Sequence, residues 1–255
     1  MSVVSATGRA AISEAEWNAR VELAACYRLF VRYGWTDLIF THLTVRVPDA
    51  PDQYLINPYG LLFNEITASN LIKVDFAGNV ISGDHPYNQA GHEIHTAILK
   101  ARPDVVSVLH SHTRAGIAVS VMECGLLPLS QQANELRDAI TYHRYDVAVD
   151  NEAECQRLGE DMGDQYAMLM ENHGLLTCGR TVAEAFYYMY TLENACKVQV
   201  DALTSGQRLI TPSQSALNAA AAYGRPPSDA PIRHGELAWP AMLRDLDRID
   251  PSYRS

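Results

Sequence analysis

The chain has no surplus of positive charge, no long apolar run, no paired cysteines and no glycine-rich phosphate loop. Each absence removes a class of function. Thirty acidic residues stand against 20 basic ones, for a formal net charge of −10. That balance argues against non-specific binding to nucleic acid or to an anionic membrane surface. No stretch reaches the roughly 18 consecutive apolar residues of a membrane-spanning helix, so none is expected. Met1-Ser2-Val3-Val4-Ser5-Ala6 lacks a basic segment followed by an apolar one, so no signal peptide is expected either. The five cysteines (Cys26, Cys124, Cys155, Cys178 and Cys196) are scattered, odd in number and form no Cys-x-x-Cys. This usage fits a reducing cytoplasm in which cysteine serves as a small core residue. Gly-x-Gly-x-x-Gly and Walker A motifs are both missing, which removes the common phosphate-cradling loops.

What remains is an ordinary globular composition: 255 residues, 47% hydrophobic and 20% charged. No Pro/Gly/Ser-rich linker divides the chain. One domain over residues 1–255 is expected, with its core at about 15–205 and a proline-rich tail at 206–255 that wraps the surface or a neighbouring subunit. Ser13 to Glu16 reads as a capping box opening a helix from Glu14 to Tyr33, with Gly34 as its stop. Leu23, Tyr27 and Phe30 would share its buried face. Alternation at Leu43, Val45 and Val47 predicts a half-buried strand, and Tyr54 to Asn57 predicts a second. Leu71 to Asp75 and Val80-Ile81, around Ala77-Gly78-Asn79, predict an antiparallel hairpin. Helices are expected from Ala90 to Ala101, Arg114 to Met122, Glu152 to Tyr166 and Thr181 to about Leu203. Further strands are expected at Val105–His110, Tyr145–Val149, Ala167–Met170 and Leu175–Cys178, while Asn134 to Ile140 reads either way. Strands and helices mixed in this order predict an α/β fold with a mainly antiparallel sheet. The lack of a regular βαβ repeat argues against a Rossmann sheet or a TIM barrel.

The chemistry gathers on histidine. Side chains two apart on a strand share a face, so His110 and His112 at a strand end present two imidazoles side by side. His173, in Glu171-Asn172-His173-Gly174 between two strands, supplies a third. Three neutral nitrogens suit Zn, Fe, Mn, Co or Ni and leave positions open for water or substrate. The rival reading is three histidines that hydrogen-bond individually.

Taken together, Ala101-Arg102-Pro103-Asp104, Val108-Leu109-His110-Ser111-His112 and Glu171-Asn172-His173-Gly174 resemble the class II aldolase/adducin family. So do Gly34 to Arg46, Asn57-Pro58-Tyr59-Gly60 and the helix after Cys178-Gly179. The resemblance covers roughly residues 15–205. It implies a three-layer α/β/α sandwich around an antiparallel sheet, assembled as a homotetramer with active sites between subunits. It also implies that His110, His112 and His173 hold a divalent metal, typically zinc.

The departures from that family carry as much information. Its sugar-phosphate aldolases have a catalytic Glu at the start of the helix before the Arg-Pro-Asp turn. Counting back from His110 places Gly91 there, which sets this chain with an adducin-like bacterial branch lacking that Glu. Glu93 is no simple substitute, because two residues along a helix turn through about 200°. His92 and Glu93 remain the local acid–base candidates. The phosphate cradle also differs: Thr41-His42-Leu43-Thr44 and Asn57-Pro58-Tyr59-Gly60 replace its usual stretches, and Gln89 and Ala90 replace paired serines. His42, Asn57, Tyr59, Gly60 and Gln89 are therefore read as contacts to a non-phosphorylated carbonyl compound or aromatic acid. The family's tyrosine acid falls near Gln131-Gln132, where this chain has none, although Tyr142 and His143 follow shortly.

Three functions are consistent with these residues. The first is a metal-dependent carbon–carbon lyase, aldolase or decarboxylase in type, with the metal stabilising an enolate. The second is a non-haem Fe(II) oxygenase, as in similar proteins of aminocoumarin biosynthesis. The third is a non-catalytic binding module like the adducin head. The expected setting is the cytoplasm, with a small-molecule substrate, a divalent cofactor (Zn, with Fe(II) or Mn as alternatives), and no nucleic-acid or membrane partner.

Overall fold

The computed structural model describes residues 12–225, 227 and 230–255; Met1–Ala6, read above for a signal peptide, lie outside them. Helix α1 (Glu14–Tyr33) begins where the sequence says it should, with Ser13 Oγ accepting from the Glu16 N–H at 3.1 Å. It ends at Gly34 in the left-handed region, φ 70°. The Glu16 carboxylate turns to Arg20 and Lys73, both at 2.9 Å, forming a largely buried ion cluster. Leu23, Tyr27 and Phe30 are fully buried along one face.

Among the described residues, eight strands form one sheet: β1 (Leu43–Val47), β2 (Ala50–Ile56), β3 (Ile72–Asp75), β4 (Val80–Ser82), β5 (Ser107–Ser111), β6 (Ile140–His143), β7 (Ala167–Met170) and β8 (Gly174–Gly179). Their order is β4-β3-β2-β1-β5-β8-β7-β6. Every neighbouring pair is antiparallel except β6 and β7, which are joined by helix α5 (Glu152–Met162) as a crossover. The remaining helices are α2 (Gln89–Ala101), α3 (Arg114–Ser120), α4 (Gln131–Leu136), α6 (Val182–Thr204), α7 (Gln214–Gly224) and α8 (Trp239–Ile249). The β3–β4 hairpin forms as expected, with Asp75 Oδ1 accepting from the Ala77 and Asn79 N–H groups at 2.9 and 2.8 Å.

Register decides which face each side chain takes. Leu43 stands opposite Leu109, and Thr44 opposite Val108. Leu43 and Leu109 therefore point to the layer formed by α1 and α6, and His110 points with Thr44 and Val108 to the layer formed by α2 and α5. A 2.8 Å contact between Thr44 Oγ1 and His95 Nδ1 of α2 confirms the second face. The result is an α/β sandwich of three layers around a mainly antiparallel sheet.

Beside the future site, Tyr27 ties α1 to both β1 and β2. Its hydroxyl accepts from the Leu43 N–H at 2.8 Å and lies 2.7 Å from the Leu43 carbonyl and 2.8 Å from Asn57 Oδ1, one of which takes its proton. Tyr27→Phe leaves these buried groups unpaired and is expected to lower unfolding stability by about 1–3 kcal/mol in urea denaturation. A change below about 0.5 kcal/mol would show that the fold repacks around the loss.

Two expectations are corrected. Tyr145–Val149 is not a strand; β6 lies earlier, at Ile140–His143. The alternation was real, but Tyr145 and Val147 are more than half exposed, and strand character requires a neighbour as well as a pattern. The helix expected to reach Tyr166 stops at Met162, because Gly163 takes φ 51° and breaks it. Residues 206–255 also hold more order than their sequence indicates. Helix α7 packs on α4, α8 packs on α1, and the Ala68 N–H donates to the Tyr253 carbonyl at 2.9 Å.

Candidate metal centre

The three sequence-predicted ligands converge. His110 is the penultimate residue of β5, His112 follows directly after the strand ends at Ser111, and His173 sits in the turn between β7 and β8. Asn172, just before it, takes φ 55°, a conformation its short polar side chain tolerates. His110 Nε2 and His112 Nε2 lie 2.9 Å apart, and His173 Nε2 lies 3.0 Å from His112 Nε2. These atoms form the cluster with metal-ligand spacing found among the described residues.

The other ring nitrogens fix the tautomers. His110 Nδ1 donates to the Leu175 carbonyl at 2.9 Å, and His112 Nδ1 donates to the Asp37 carboxylate at 2.9 Å. Both Nε2 atoms therefore carry lone pairs when the rings are neutral. Burial, reinforced by the neighbouring imidazoles, pushes His110 well below the usual histidine range and His173 down to about 4. Two lone pairs pointed at each other across 2.9 Å repel unless a cation stands near them. Tetrahedral ligands at 2.0–2.1 Å from a metal lie about 3.3 Å apart, close to the spacing present. The donor set thus fits a divalent ion, and a carboxylate behind a ligating histidine is the usual support for one.

Asp37 had no signal in the sequence. It belongs to a turn after α1 in which Leu38 and Thr41 take φ 51° and 66°, unusual for residues other than glycine. Asp37→Asn weakens the acceptor behind His112, and is expected to reduce divalent-ion affinity about 10–100-fold in a competitive chelator titration. Unchanged affinity would show that the carboxylate does not support the ligand.

The remaining candidates separate into groups. His42 is buried, its ring centroid 5.2 Å from that of His110. His92 instead faces the β3–β4 hairpin: its Nδ1 lies 2.7 Å from Tyr54 Oη, and its ring centroid 5.6 Å from that of Tyr87. Burial lowers His92 below the ordinary histidine value, an effect that Glu93 partly offsets. Glu93 accepts from Gln89 Nε2 at 2.8 Å on the helix surface. Asn57 is occupied by Tyr27. Tyr59 is half-buried, and its N–H donates to the Pro86 carbonyl at 2.8 Å. Gly60 takes φ 107°, which only glycine adopts readily. Tyr142 Oη accepts from the Leu126 N–H at 3.1 Å, and His143 is held between Glu154 at 2.6 Å and Asp161 at 2.7 Å. The tyrosine nearest the triad by ring contact is Tyr145, 6.3 Å from His173 between centroids and half exposed. A 470 Å³ cleft lined by Ser120, Tyr142, Glu171 and Asn172 opens beside the His173 turn.

Residues 21–200 match the family described as Class II Aldolase and Adducin N-terminal domain. The chain belongs to this family. A class 2 aldolase-type protein of Pseudomonas aeruginosa, whose name gives no substrate, is 48% identical over 249 residues, 96% of this chain and 95% of that protein. Alpha-adducin of Mus musculus is 38% identical over 255 residues, 94% of this chain but 34% of the adducin. Among solved structures, an aldolase II superfamily protein from Pseudomonas syringae is 40% identical, with a TM-score of 0.92 over 98% of this chain and all of that one. The L-fuculose 1-phosphate aldolase of Glaciozyma antarctica is 27% identical, with a TM-score of 0.81 over 100% of this chain and 97% of that one. The class II aldolase family thus includes both named aldolases and adducins. Among the described residues, no helix is long and apolar enough to cross a membrane.

Proposed function

We propose that this class II aldolase family member is a metal-dependent carbon–carbon lyase, of aldolase or decarboxylase type, acting on a non-phosphorylated carbonyl compound or aromatic acid. The observation that carries the reading is the convergence of three Nε2 atoms, with the Nδ1 atoms of His110 and His112 already committed to the Leu175 carbonyl and the Asp37 carboxylate. His110, His112 and His173 would hold a divalent ion, zinc first and Fe(II) or Mn as alternatives. Such an ion supplies Lewis-acid stabilisation to an oxygen that gains charge as a carbon–carbon bond breaks. Asp37 holds the His112 ring in its ligating tautomer. The Leu175 carbonyl does the same for His110.

Tyr59, Gly60 and Gln89 are the proposed contacts to the rest of the substrate, and His92 and Glu93 the proposed acid–base groups. The missing carboxylate at Gly91 and the altered phosphate cradle support a substrate other than a sugar phosphate. The protein is read as a single domain, a cytoplasmic homotetramer. A second reading, a non-catalytic binding role, draws support from the 38% identity to alpha-adducin.

The test is elemental analysis of protein purified without chelator and reloaded with Zn, Mn or Fe(II), followed by assays on hydroxy-carbonyl compounds and aromatic acids. One ion per chain with release of a carbonyl fragment or carbon dioxide supports the lyase. Oxygen uptake that requires Fe(II) selects an oxygenase instead. Efficient cleavage of a ketose 1-phosphate would overturn the substrate class. Absence of stoichiometric metal would favour the binding role.

A further inference from the structure

His42 and Gly91 meet in one volume next to the three imidazoles. The His42 carbonyl accepts from the His110 N–H at 3.2 Å as the chain enters β1, and its side chain is buried under the start of α2. A Cβ added at residue 91 would lie 2.6 Å from His42 Cδ2, 2.7 Å from Cγ and 3.0 Å from Nε2. Real Cβ atoms do not come so close, so a side chain at 91 and the observed imidazole at 42 exclude each other. Glycine at 91 is what admits the His42 ring.

That ring is also unsatisfied. Neither His42 Nδ1 nor Nε2 has a hydrogen-bond partner, although both are buried. Its neighbour His95, 4.3 Å away between centroids, has Nδ1 bonded to Thr44 and Nε2 likewise without a partner. Buried polar groups in folded proteins are nearly always paired, and those that are not point to a missing ligand or water. A leucine or phenylalanine would fill this volume without that penalty. A neutral imidazole offers one N–H and one lone pair, matching a molecule that presents a hydroxyl and a carbonyl together.

We propose that His42 hydrogen-bonds the hydroxy-carbonyl part of the molecule bound at the three-histidine centre, entering from β1 into the volume a residue-91 side chain would otherwise fill. This deepens the metal-dependent reading and rests on it. His42 is then a substrate-contact residue that sets which molecules the centre accepts. A carboxylate at residue 91 is then excluded by the imidazole that occupies its place.

The test uses the full-length protein loaded with cobalt(II), whose visible absorption reports the ligand field, and acetohydroxamate, a small chelator with adjacent carbonyl and N-hydroxyl groups. Wild type is expected to hold one cobalt per chain and shift its absorption on binding the probe. His42→Phe is expected to keep the cobalt and bind the probe roughly tenfold more weakly. His42→Asn, which retains a donor and an acceptor in a smaller side chain, is expected to recover part of the loss and covers the case in which phenylalanine misfolds. Gly91→Ala is expected to lower the melting temperature, and His42→Gly in the same chain to restore it. Probe affinity unchanged in both His42 variants overturns the contact, and Gly91→Ala as stable as wild type overturns the shared volume. If wild type takes up no cobalt, the metal reading falls and this proposal falls with it; normal cobalt with unchanged probe affinity sinks only the proposal.

Discussion

Replacing His110 with alanine is expected to abolish stoichiometric binding of a divalent ion. His110 is the most buried of the three imidazoles, 1% exposed, and its orientation is fixed by the bond from Nδ1 to the Leu175 carbonyl. A ligand held this rigidly loses little entropy when an ion binds, so its removal costs more than the loss of one mobile donor. Loss of a supporting partner alone typically weakens metal sites about 10–100-fold, and loss of the ligand itself should exceed that. Elemental analysis after dialysis against micromolar metal should read near zero for His110→Ala and one ion per chain for wild type. His112→Ala is the paired variant. His112 lies at the edge of the centre with its side chain 24% exposed, so its removal should cost the metal with less disturbance of the core. Retention of wild-type affinity in both variants would sink the three-histidine centre altogether.

The contrast between those two variants matters because stability and ligation are linked at His110. Its ring lies inside the sandwich, against His42 and beneath α2. Truncation therefore opens a small cavity as well as removing a donor. A modest fall in melting temperature with total loss of metal is the expected signature for His110→Ala. A large fall with metal retained would mean that the ring serves packing first.

How much of this was legible in the sequence depends on how local each relation is. His110 and His112 could be paired because the period of a strand is fixed by the backbone, and His173 because its turn is flanked by two strand-like runs. The resemblance to known family members joined the two segments. Asp37 was out of reach, since it lies 75 residues from His112 and meets it only through a turn with two non-glycine residues at positive φ. The exclusion between His42 and Gly91 was equally hidden. Counting identified Gly91 as a missing carboxylate, but only the crossing of α2 over β1 shows what fills the space. His92 illustrates the converse: one residue from Gly91 in sequence, it is turned about 100° around the helix toward Tyr54. Tyr145 to Val149 failed because alternation describes a strand's two faces and says nothing about its hydrogen-bonding edges. Helix α7 was missed because Ala219 to Ala222 is a run of alanine, which gives a good helix former little periodicity to display.

Gly174→Ala is expected to be the most destabilising single-methyl change near the centre. Gly174 opens β8 directly after His173 and pairs with Met170 of β7, while β5 lies on its other side. A Cβ at this position would sit 2.3 Å from the Ser111 carbonyl oxygen and 3.3 Å from His112 Cδ2. The first of these atoms is backbone in a central strand, so no rotamer change relieves the clash; β5 and β8 must separate. Overpacking in a tight interior typically costs about 1–3 kcal/mol, and a clash with backbone belongs at the upper end of that range. The same displacement spreads the three nitrogens, because β5 ends in His110 and Ser111, His112 follows at once, and His173 immediately precedes Gly174. Denaturation and metal titration on one preparation should therefore show both a loss of stability and a loss of affinity. Stability within about 0.5 kcal/mol of wild type would mean that the two strands can part freely. A destabilised protein that still binds metal as tightly as wild type would mean instead that the turn holding His173 moves independently of the strand that follows it. Either result would contradict a centre whose geometry is set by the close approach of β5 and β8.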